Sequence, residues 1–233
     1  MRTSTLTLLL TFSWFFLNNN SALGEDALKQ LKQYQKQEIE AEKSLGKVDL
    51  AELLRQSREV AKQLQRQILC AGKLGILKKR EYKVKTLSFK PGAECAHFTI
   101  NYAWFKKLAE REGDGEQKEF ILLYIQTFPE SERYAFETSR EIVNCVQYGN
   151  GKLTETYLNW REYQKKFPSK HKQMVDKILE EITQNLLTQQ QVVDNLCGSW
   201  GKKEYRQELK HFIQKVPADD PIYSQVKKAE ESV

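Results

Sequence analysis

The stretch DLAELLRQSREVAKQLQRQI, residues 49–68, decides the fold of this chain. Its apolar residues recur every three or four positions, which is the pattern of the buried face of an amphipathic helix: Leu50, Leu53, Leu54, Val60, Ala61, Leu64 and Ile68. Asp49 and Glu52 stand at the spacing of a capping box, which satisfies the first backbone N–H groups of a helix. We therefore predict a helix that begins at Asp49 and ends near Gly72.

A second amphipathic stretch precedes it, from Glu25 to Leu45. Its apolar residues follow the same helical spacing: Leu28, Leu31, Tyr34, Ile39 and Leu45. Only Gly46-Lys47-Val48 separates the two predicted helices, and short connections join antiparallel neighbours. The sequence thus predicts a helical hairpin that packs on its own domain, or alternatively offers a coiled-coil site to a partner.

The second half of the chain carries further helical patterns. They predict helices over Glu130–Tyr148, Thr154–Phe167, Ser169–Leu196 with Ser169 as its cap and a kink near Thr188, Lys202–Val216, and a short last one that begins at Asp220-Pro221. Phe120 to Phe128 is almost wholly apolar, and its periodicity fits a buried strand as well as a buried helix.

The segment between these two groups of helices has a different pattern. Glu81 to Phe89 contains residues that favour strands, and Pro91-Gly92 marks a turn. His97 to Trp104 alternates between apolar and polar residues, and we expect it to pass into a helix by Tyr102. The fold prediction is a mainly α, single-domain bundle of about seven helices, with one small β-hairpin or short strand near residues 81–104.

Residues 1–24 have the order of a secretory signal peptide: Arg2, an apolar run from Leu6 to Leu17, and small residues at Ala22 and Gly24. The apolar run is shorter than the about 20 residues that a membrane-spanning helix needs. We expect cleavage between Gly24 and Glu25, which leaves a secreted, mainly helical domain of residues 25–233; the alternative is an uncleaved membrane anchor. The predicted location is periplasmic or extracellular.

The cysteine content agrees with export. The chain has four cysteines, Cys70, Cys95, Cys145 and Cys197, and an even number in an exported protein predicts two disulfide bonds. Four cysteines allow three pairing schemes. We favour Cys70–Cys95 with Cys145–Cys197, because partners that are closer in sequence meet more often; the other schemes stay open.

The sequence predicts neither a metal site, a cofactor nor a catalytic residue. His97, His171 and His211 are far apart and none belongs to a His-Glu-x-x-His motif. Ser169 and Lys172 have the spacing of a serine–lysine pair, but Ser169 already suits a helix cap. The rival class is a cell-envelope hydrolase, which would need a buried carboxylate as general acid. Its candidate is Glu130-Ser131, whereas Glu137 and Glu141 are interpreted as part of a solvated helix face.

The charge of the chain is distributed unevenly. The formal net charge is +6, yet Cys70 to Lys107 carries nine basic and two acidic residues, and Leu108 to Tyr148 carries four basic and nine acidic ones. Cations interleaved with aromatic rings favour an anionic partner through charge attraction and stacking. The candidate binding residues are Lys78, Lys79, Arg80, Lys83, Lys85, Lys90, Trp104, Phe105, Lys106 and Lys107.

We interpret the chain as an exported, soluble, non-catalytic interaction protein: an inhibitor, an immunity-type protein or an envelope adaptor. The expected partner is a protein with an acidic surface or an anionic polymer of the cell envelope, and export disfavours nucleic acid. In the alternative interpretation, the acidic segment Leu108–Tyr148 neutralises the basic one within the fold, so that no binding surface results.

Overall fold

The computed structural model describes residues 29, 31–40, 42–43, 49–64, 84–90, 97–129, 133–140, 143–188 and 201–233. This part of the chain contains eight helices: α1 (31–40 and 42–43), α2 (Leu50–Leu64), α3 (Tyr102–Glu112), α4 (Gly115–Thr127), α5 (Lys152–Lys166), α6 (Lys172–Leu187), α7 (Lys202–Lys215) and α8 (Tyr223–Ser232). It also contains four strands, which pair as two antiparallel hairpins: β1 (Leu87–Lys90) with β2 (His97–Ile100), and β3 (Glu137–Arg140) with β4 (Val143–Val146).

The predicted mainly helical fold is confirmed for the residues that the structure describes. None of the helices in these ranges is both long and apolar enough to cross a membrane. The predicted signal peptide, its cleavage site and the turn at Pro91-Gly92 lie outside the described residues. The described chain divides into two compact units, one ending at Lys118 and one beginning at Glu119, within α4. The single-domain interpretation stays a prediction.

The described part of helix α2 forms as its sequence predicts, and the predicted end near Gly72 lies outside the described residues. The Oδ1 atom of Asp49 accepts hydrogen bonds from the backbone N–H groups of Ala51 and Glu52 at 3.0 and 3.1 Å, so Asp49 is the N-cap. The predicted apolar residues up to Leu64 are all buried. Helix α2 packs on β2 and α3 within the first unit. The cap and the apolar spacing thus account for where α2 begins and for which face it buries.

A polar network lies beneath α1 and α2. The hydroxyl oxygen of Tyr34 lies 2.5 Å from Ser57 Oγ on α2, and this hydroxyl donates to Thr86 Oγ1 at 2.8 Å. Glu38, which is 3% exposed, accepts from the backbone N–H of Thr86 at 2.7 Å. These hydrogen bonds satisfy buried polar groups and fix the chain that enters β1 against α1 and α2.

The predicted buried position of Ile39 on α1 is wrong. Ile39 is 48% exposed, and Glu38 takes the buried position instead. Glu38 stands two helical turns after Leu31, at i+7, which brings it back to the buried face, while Ile39 is rotated about 100° further. The apolar pattern placed Ile39 inside because a glutamate was not expected there.

The core of the second unit is aromatic. Phe120 on α4 contacts the rings of Trp160 and Tyr163 on α5, with ring centroids 5.6 and 5.7 Å apart. Trp160 Nε1 donates to Thr127 Oγ1 at 2.8 Å, so its one polar atom is satisfied. The run Phe120–Phe128, whose sequence fitted a strand or a helix, thus lies mainly in a helix that ends at Thr127.

The predicted helix over Glu130–Tyr148 is wrong. Its described part forms the β3–β4 hairpin, in which Thr138 stands opposite Cys145 and Glu137 opposite Val146. The ladder continues beyond the strands, since Gln147 N–H donates to the carbonyl of Phe136 at 2.7 Å. Threonine and valine favour strands because their branched side chains suit a pleated surface, and cross-strand pairing here outweighed the helical spacing of the aromatic residues.

The remaining helices agree with prediction except at their ends. Helices α5 and α7 lie within two residues of their predicted bounds. Helix α6 begins at Lys172, preceded by His171 with a φ of 47°, so Ser169 is not its cap. It ends at Leu187, and the predicted continuation towards Leu196 lies outside the described residues. Helix α8 begins at Tyr223 rather than at Pro221.

Cys145 on β4 is wholly buried. The other three cysteines, Cys70, Cys95 and Cys197, lie outside the described residues. Both predicted disulfide bonds and their pairing scheme therefore stay predictions.

Candidate binding face around Glu42

The predicted binding residues separate into three groups. Lys78, Lys79, Arg80 and Lys83 lie outside the described residues, as does the side chain of Lys90. Lys85, Lys106 and Lys107 are exposed, and Trp104 is partly exposed. Phe105 is wholly buried.

Phe105 therefore belongs to the core of the first unit. It shares the buried face of α3 with Leu108 and Ala109, at the i, i+3, i+4 spacing of an amphipathic helix. The edge of its ring contacts Trp104 with centroids 5.1 Å apart and planes at 88°. Its ring packs against Trp104 inside the first unit and is not exposed to a partner.

Glu42 on α1 joins two of the predicted binding residues. Its Oε2 atom lies 2.5 Å from the ammonium group of Lys85, and its Oε1 atom accepts from Trp104 Nε1 at 3.2 Å. Lys85 belongs to the turn before β1, and Trp104 to the first turn of α3. A single carboxylate thus holds a cation and an indole ring side by side, although the three residues are far apart in sequence.

The backbone around this contact is also fixed. Asn101 caps α3, because its Oδ1 atom accepts from the backbone N–H of Trp104 at 3.2 Å. The side-chain amide of Asn101 donates to the carbonyl of Lys85, and its backbone N–H donates to the carbonyl of Thr86, both at 2.7 Å. The turn that carries Lys85 is therefore attached directly to the helix that carries Trp104.

The charge of Arg111 also acts on Glu42. The pKa of Glu42 is lowered, first by the hydrogen bond from Lys85, then by that from Trp104 and by the charges of Lys85 and Arg111, against an opposing effect of burial. Trp104, Lys107 and Arg111 stand at i, i+3 and i+7 on α3 and so share one face. We call Glu42, Lys85, Trp104, Lys107 and Arg111 the Glu42 face; it has three cations and one carboxylate.

The sequence missed two of these five residues. Arg111 lies in the acidic segment that begins at Leu108, yet it stands two turns after Trp104, so the predicted helix already placed both on one face. Glu42 carries no such signal, because 43 positions separate it from Lys85. The counter-ion of Lys85 comes from α1 and not from Leu108–Tyr148, the segment expected to neutralise it.

Buried carboxylates were the signature expected of a hydrolase, and Glu208 on α7 is the most deeply buried. Its Oε2 atom accepts from the backbone N–H groups of Gly149 and Gly151 at 2.9 and 3.0 Å. Its Oε1 atom accepts from the backbone N–H and the hydroxyl of Thr154 at 3.1 and 2.8 Å. Four donors at the start of α5 occupy both oxygens, so Glu208 is a structural group.

Glu137 has a different environment from the solvated helix face that was predicted for it. It lies on β3, partly buried, and its Oε2 atom accepts from the backbone N–H of Tyr134 at 3.1 Å. The hydroxyl of Tyr134 donates to Glu181 on α6 at 2.5 Å. Burial, and to a smaller extent the charge of Glu181, raise the pKa of Glu137, while the N–H of Tyr134 and the charge of Arg133 oppose them. Glu130 and Ser131 lie outside the described residues.

Among the described residues, His, Cys, Asp and Glu side chains do not gather in groups of three or more that could hold a metal ion. Comparison with known proteins adds no assignment, because no family model, no curated protein and no solved structure matches this chain. The functional argument therefore rests on the residues themselves.

Proposed function

We propose that this chain is an exported, non-catalytic interaction protein that binds an acidic surface of a partner protein through the Glu42 face. The observation that carries the proposal is the double contact of Glu42 with Lys85 and Trp104, which holds a cation and an indole ring together at the surface. Tryptophan and arginine are the residue types that contribute most binding energy at protein interfaces, and the Glu42 face contains both.

Pre-organisation strengthens the proposal. A long side chain that becomes ordered on binding costs about 0.5–1.5 kcal/mol of conformational entropy. Glu42 already holds Lys85 and Trp104, and the indole ring of Trp104 also packs against the ring of Phe105. Carboxylates of a partner would pair with the exposed ammonium groups of Lys85 and Lys107, so an acidic partner complements the charge of the face.

The experiment is a pull-down with the mature protein, residues 25–233, from the secreted or envelope fraction of its own source, followed by affinity measurement with the purified partner. The test variant carries Lys107→Glu and Arg111→Glu. The control variant carries Lys227→Glu and Lys228→Glu, two exposed cations on α8. We expect the test variant to lose at least about tenfold in affinity, or about 1.4 kcal/mol, and the control to bind normally.

Charge reversal at Lys78, Lys79 and Arg80 extends the same test to the remainder of the predicted basic segment. Capture of an anionic polymer instead of a protein would contradict the proposed partner class. Equal affinity of the test and control variants would refute the face itself.

Export and disulfide bonding belong to the same proposal. A carboxy-terminal reporter fusion should be recovered outside the cytoplasm with residues 1–24 removed, and the mature protein should react with no thiol reagent until it is reduced. A cytosolic, thiol-reactive protein would remove the grounds for an envelope or extracellular partner.

The second candidate is a cell-envelope hydrolase, and it is favoured by the two carboxylates that Tyr134 contacts, Glu137 through its backbone N–H and Glu181 through its hydroxyl. Two carboxylates with different environments can divide the roles of general acid and general base, and burial raises the pKa of Glu137. Hydrolysis of purified cell-wall fragments that is abolished by Glu137→Gln would establish this candidate. Equal hydrolysis by the wild type and by that variant would eliminate Glu137 as its acid.

A further inference from the structure

A groove lies between α1 and α2, on residues that the Glu42 face does not use. Its cavity volume is about 180 Å³, and four glutamines line it: Gln33, Gln37, Gln56 and Gln63. Tyr34 and Val60, both buried, also line the groove. Cavities that hold drug-sized ligands have about 300–1,000 Å³, so this groove suits a ligand of one ring.

Gln63 supplies the observation that points to a ligand. Its Oε1 atom is buried and has no hydrogen-bond partner among the described residues. Buried side-chain oxygens in folded proteins almost always accept a hydrogen bond. An acceptor without a protein donor on the lining of a groove can accept a hydrogen bond from a ligand that displaces water there.

Charges of both signs line the groove. Both carboxylate oxygens of Glu52, on the same helix, accept hydrogen bonds from Arg55 at 2.7 and 2.6 Å. Arg55 is also attracted by the charge of Glu59, which stands one helical turn later. Arg55 and Glu59 both line the groove. A charged ligand would meet an opposite and a like charge together, so the electrostatics favour an uncharged ligand.

We propose that the α1–α2 groove binds one ring of an uncharged sugar. A primary amide offers donors and an acceptor in one plane, and adjacent hydroxyl groups of a sugar can be donor and acceptor at once. The ring would lie between the two helices, where its hydroxyls would meet the amides and donate to Gln63 Oε1. This proposal is independent of the Glu42 face, because the two sets of residues do not overlap.

The experiment titrates the mature protein with N-acetylglucosamine and methyl glucoside while NMR follows the side-chain amides of the glutamines. We expect saturable shifts at Gln63 with a Kd in the range of about 1–10 mM. Gln63→Met removes the acceptor with little change in volume, and Gln37→Met is a second variant should the first unfold. Each should raise the Kd at least about tenfold, whereas Gln207→Met, on an exposed position of α7, should leave it unchanged.

Three results would overturn the proposal. One is the absence of saturation by either sugar up to about 50 mM. Another is an unchanged Kd in both groove variants when their thermal unfolding matches that of the wild type. The third is tighter binding of glucuronate, the charged analogue, or of an acetylated peptide amide, which would replace the uncharged sugar as the ligand class.

Discussion

Glu42 and Glu208 both join segments that are far apart in sequence, but they do so in opposite settings. The side chain of Glu42 is 28% exposed, and its partners are a lysine and a tryptophan that themselves face the solvent. Glu208 is wholly buried, and its four donors belong to the loop and helix start at residues 149–154. Partners at the surface can exchange with groups of another molecule, whereas four buried donors cannot. We therefore propose a role in recognition for the first carboxylate and a role in stability for the second.

This comparison predicts its largest effect at Glu208. Glu208→Ala leaves four donors without their acceptor inside the second unit, and we expect the free energy of unfolding to fall by about 3 kcal/mol. Urea denaturation followed by tryptophan fluorescence measures it, with Glu231→Ala on the exposed face of α8 as the control. A loss below about 1 kcal/mol would show that the buried carboxylate is not the anchor of this loop.

The second largest loss of stability is expected in the loop that Glu208 anchors. Gly151 has a φ of 76°, and a Cβ atom added to it would lie 2.8 Å from the Cε1 atom of His211. Gly151→Ala should therefore cost about 2 kcal/mol, through both backbone strain and the displaced ring. Gly115→Ala, where nothing lies within 4 Å of the added atom, is the matched control and should be neutral or slightly stabilising. Equal effects of the two substitutions would contradict the described loop conformation.

Tyr34 in the buried network of the first unit should respond less strongly, because the hydroxyl groups that it contacts are neutral. Tyr34→Phe removes the hydroxyl that contacts Ser57 and Thr86, and we expect a loss of about 1.5 kcal/mol. Burial raises the pKa of Tyr34 to about 12. Its contribution to stability is therefore complete below pH 10, the usual tyrosine range, and is lost as the pH rises through 12.

Denaturation at pH 8 and at pH 11 measures this dependence in the wild type and the variant. The gap between the two proteins should be narrower at the higher pH. A gap that widens with pH would mean that the ionised tyrosine is the form favoured by folding.

The smallest effect on stability is expected at Glu42. Partly exposed ion pairs contribute about 0–1 kcal/mol, so Glu42→Gln should lower the free energy of unfolding by about 0.5 kcal/mol. Its effect on recognition should be larger, because Lys85 and Trp104 lose the group that orients them. Urea denaturation measures the loss of stability, and the pull-down measures the loss of binding. A loss of stability as large as that of Glu208→Ala would contradict the contrast between the two carboxylates.

Local signals predicted the helices well. In α2 the cap at Asp49 and the six apolar positions up to Leu64 point to the same element, and the buried face agrees. The β3–β4 hairpin was mistaken for a helix because its stability depends on cross-strand pairs such as Thr138 with Cys145, which a window along the chain does not contain. The sequence left the secondary structure of Phe120–Phe128 undecided for a related reason. An almost wholly apolar run has no periodicity that separates a strand from a helix.

The candidate site was predictable only in part. Lys85, Trp104 and Lys107 were recognised from composition, and Phe105 was included because a ring that binds and a ring that packs look alike in sequence. Glu42 was missed, as was the burial of Glu38, because both depend on contacts with residues that lie more than forty positions further along the chain. Contacts of this kind follow from the assembled fold and from no local pattern.

The most direct test of the Glu42 face measures the affinity of the captured partner at low and at physiological salt. The wild type should bind more weakly as salt rises, since screening acts on its cations. Lys107→Glu with Arg111→Glu should lose at least about tenfold in affinity at low salt and show a flatter salt dependence, while Lys227→Glu with Lys228→Glu should follow the wild type. Equal affinity and equal salt dependence of all three proteins would contradict the claim that this face binds an acidic partner.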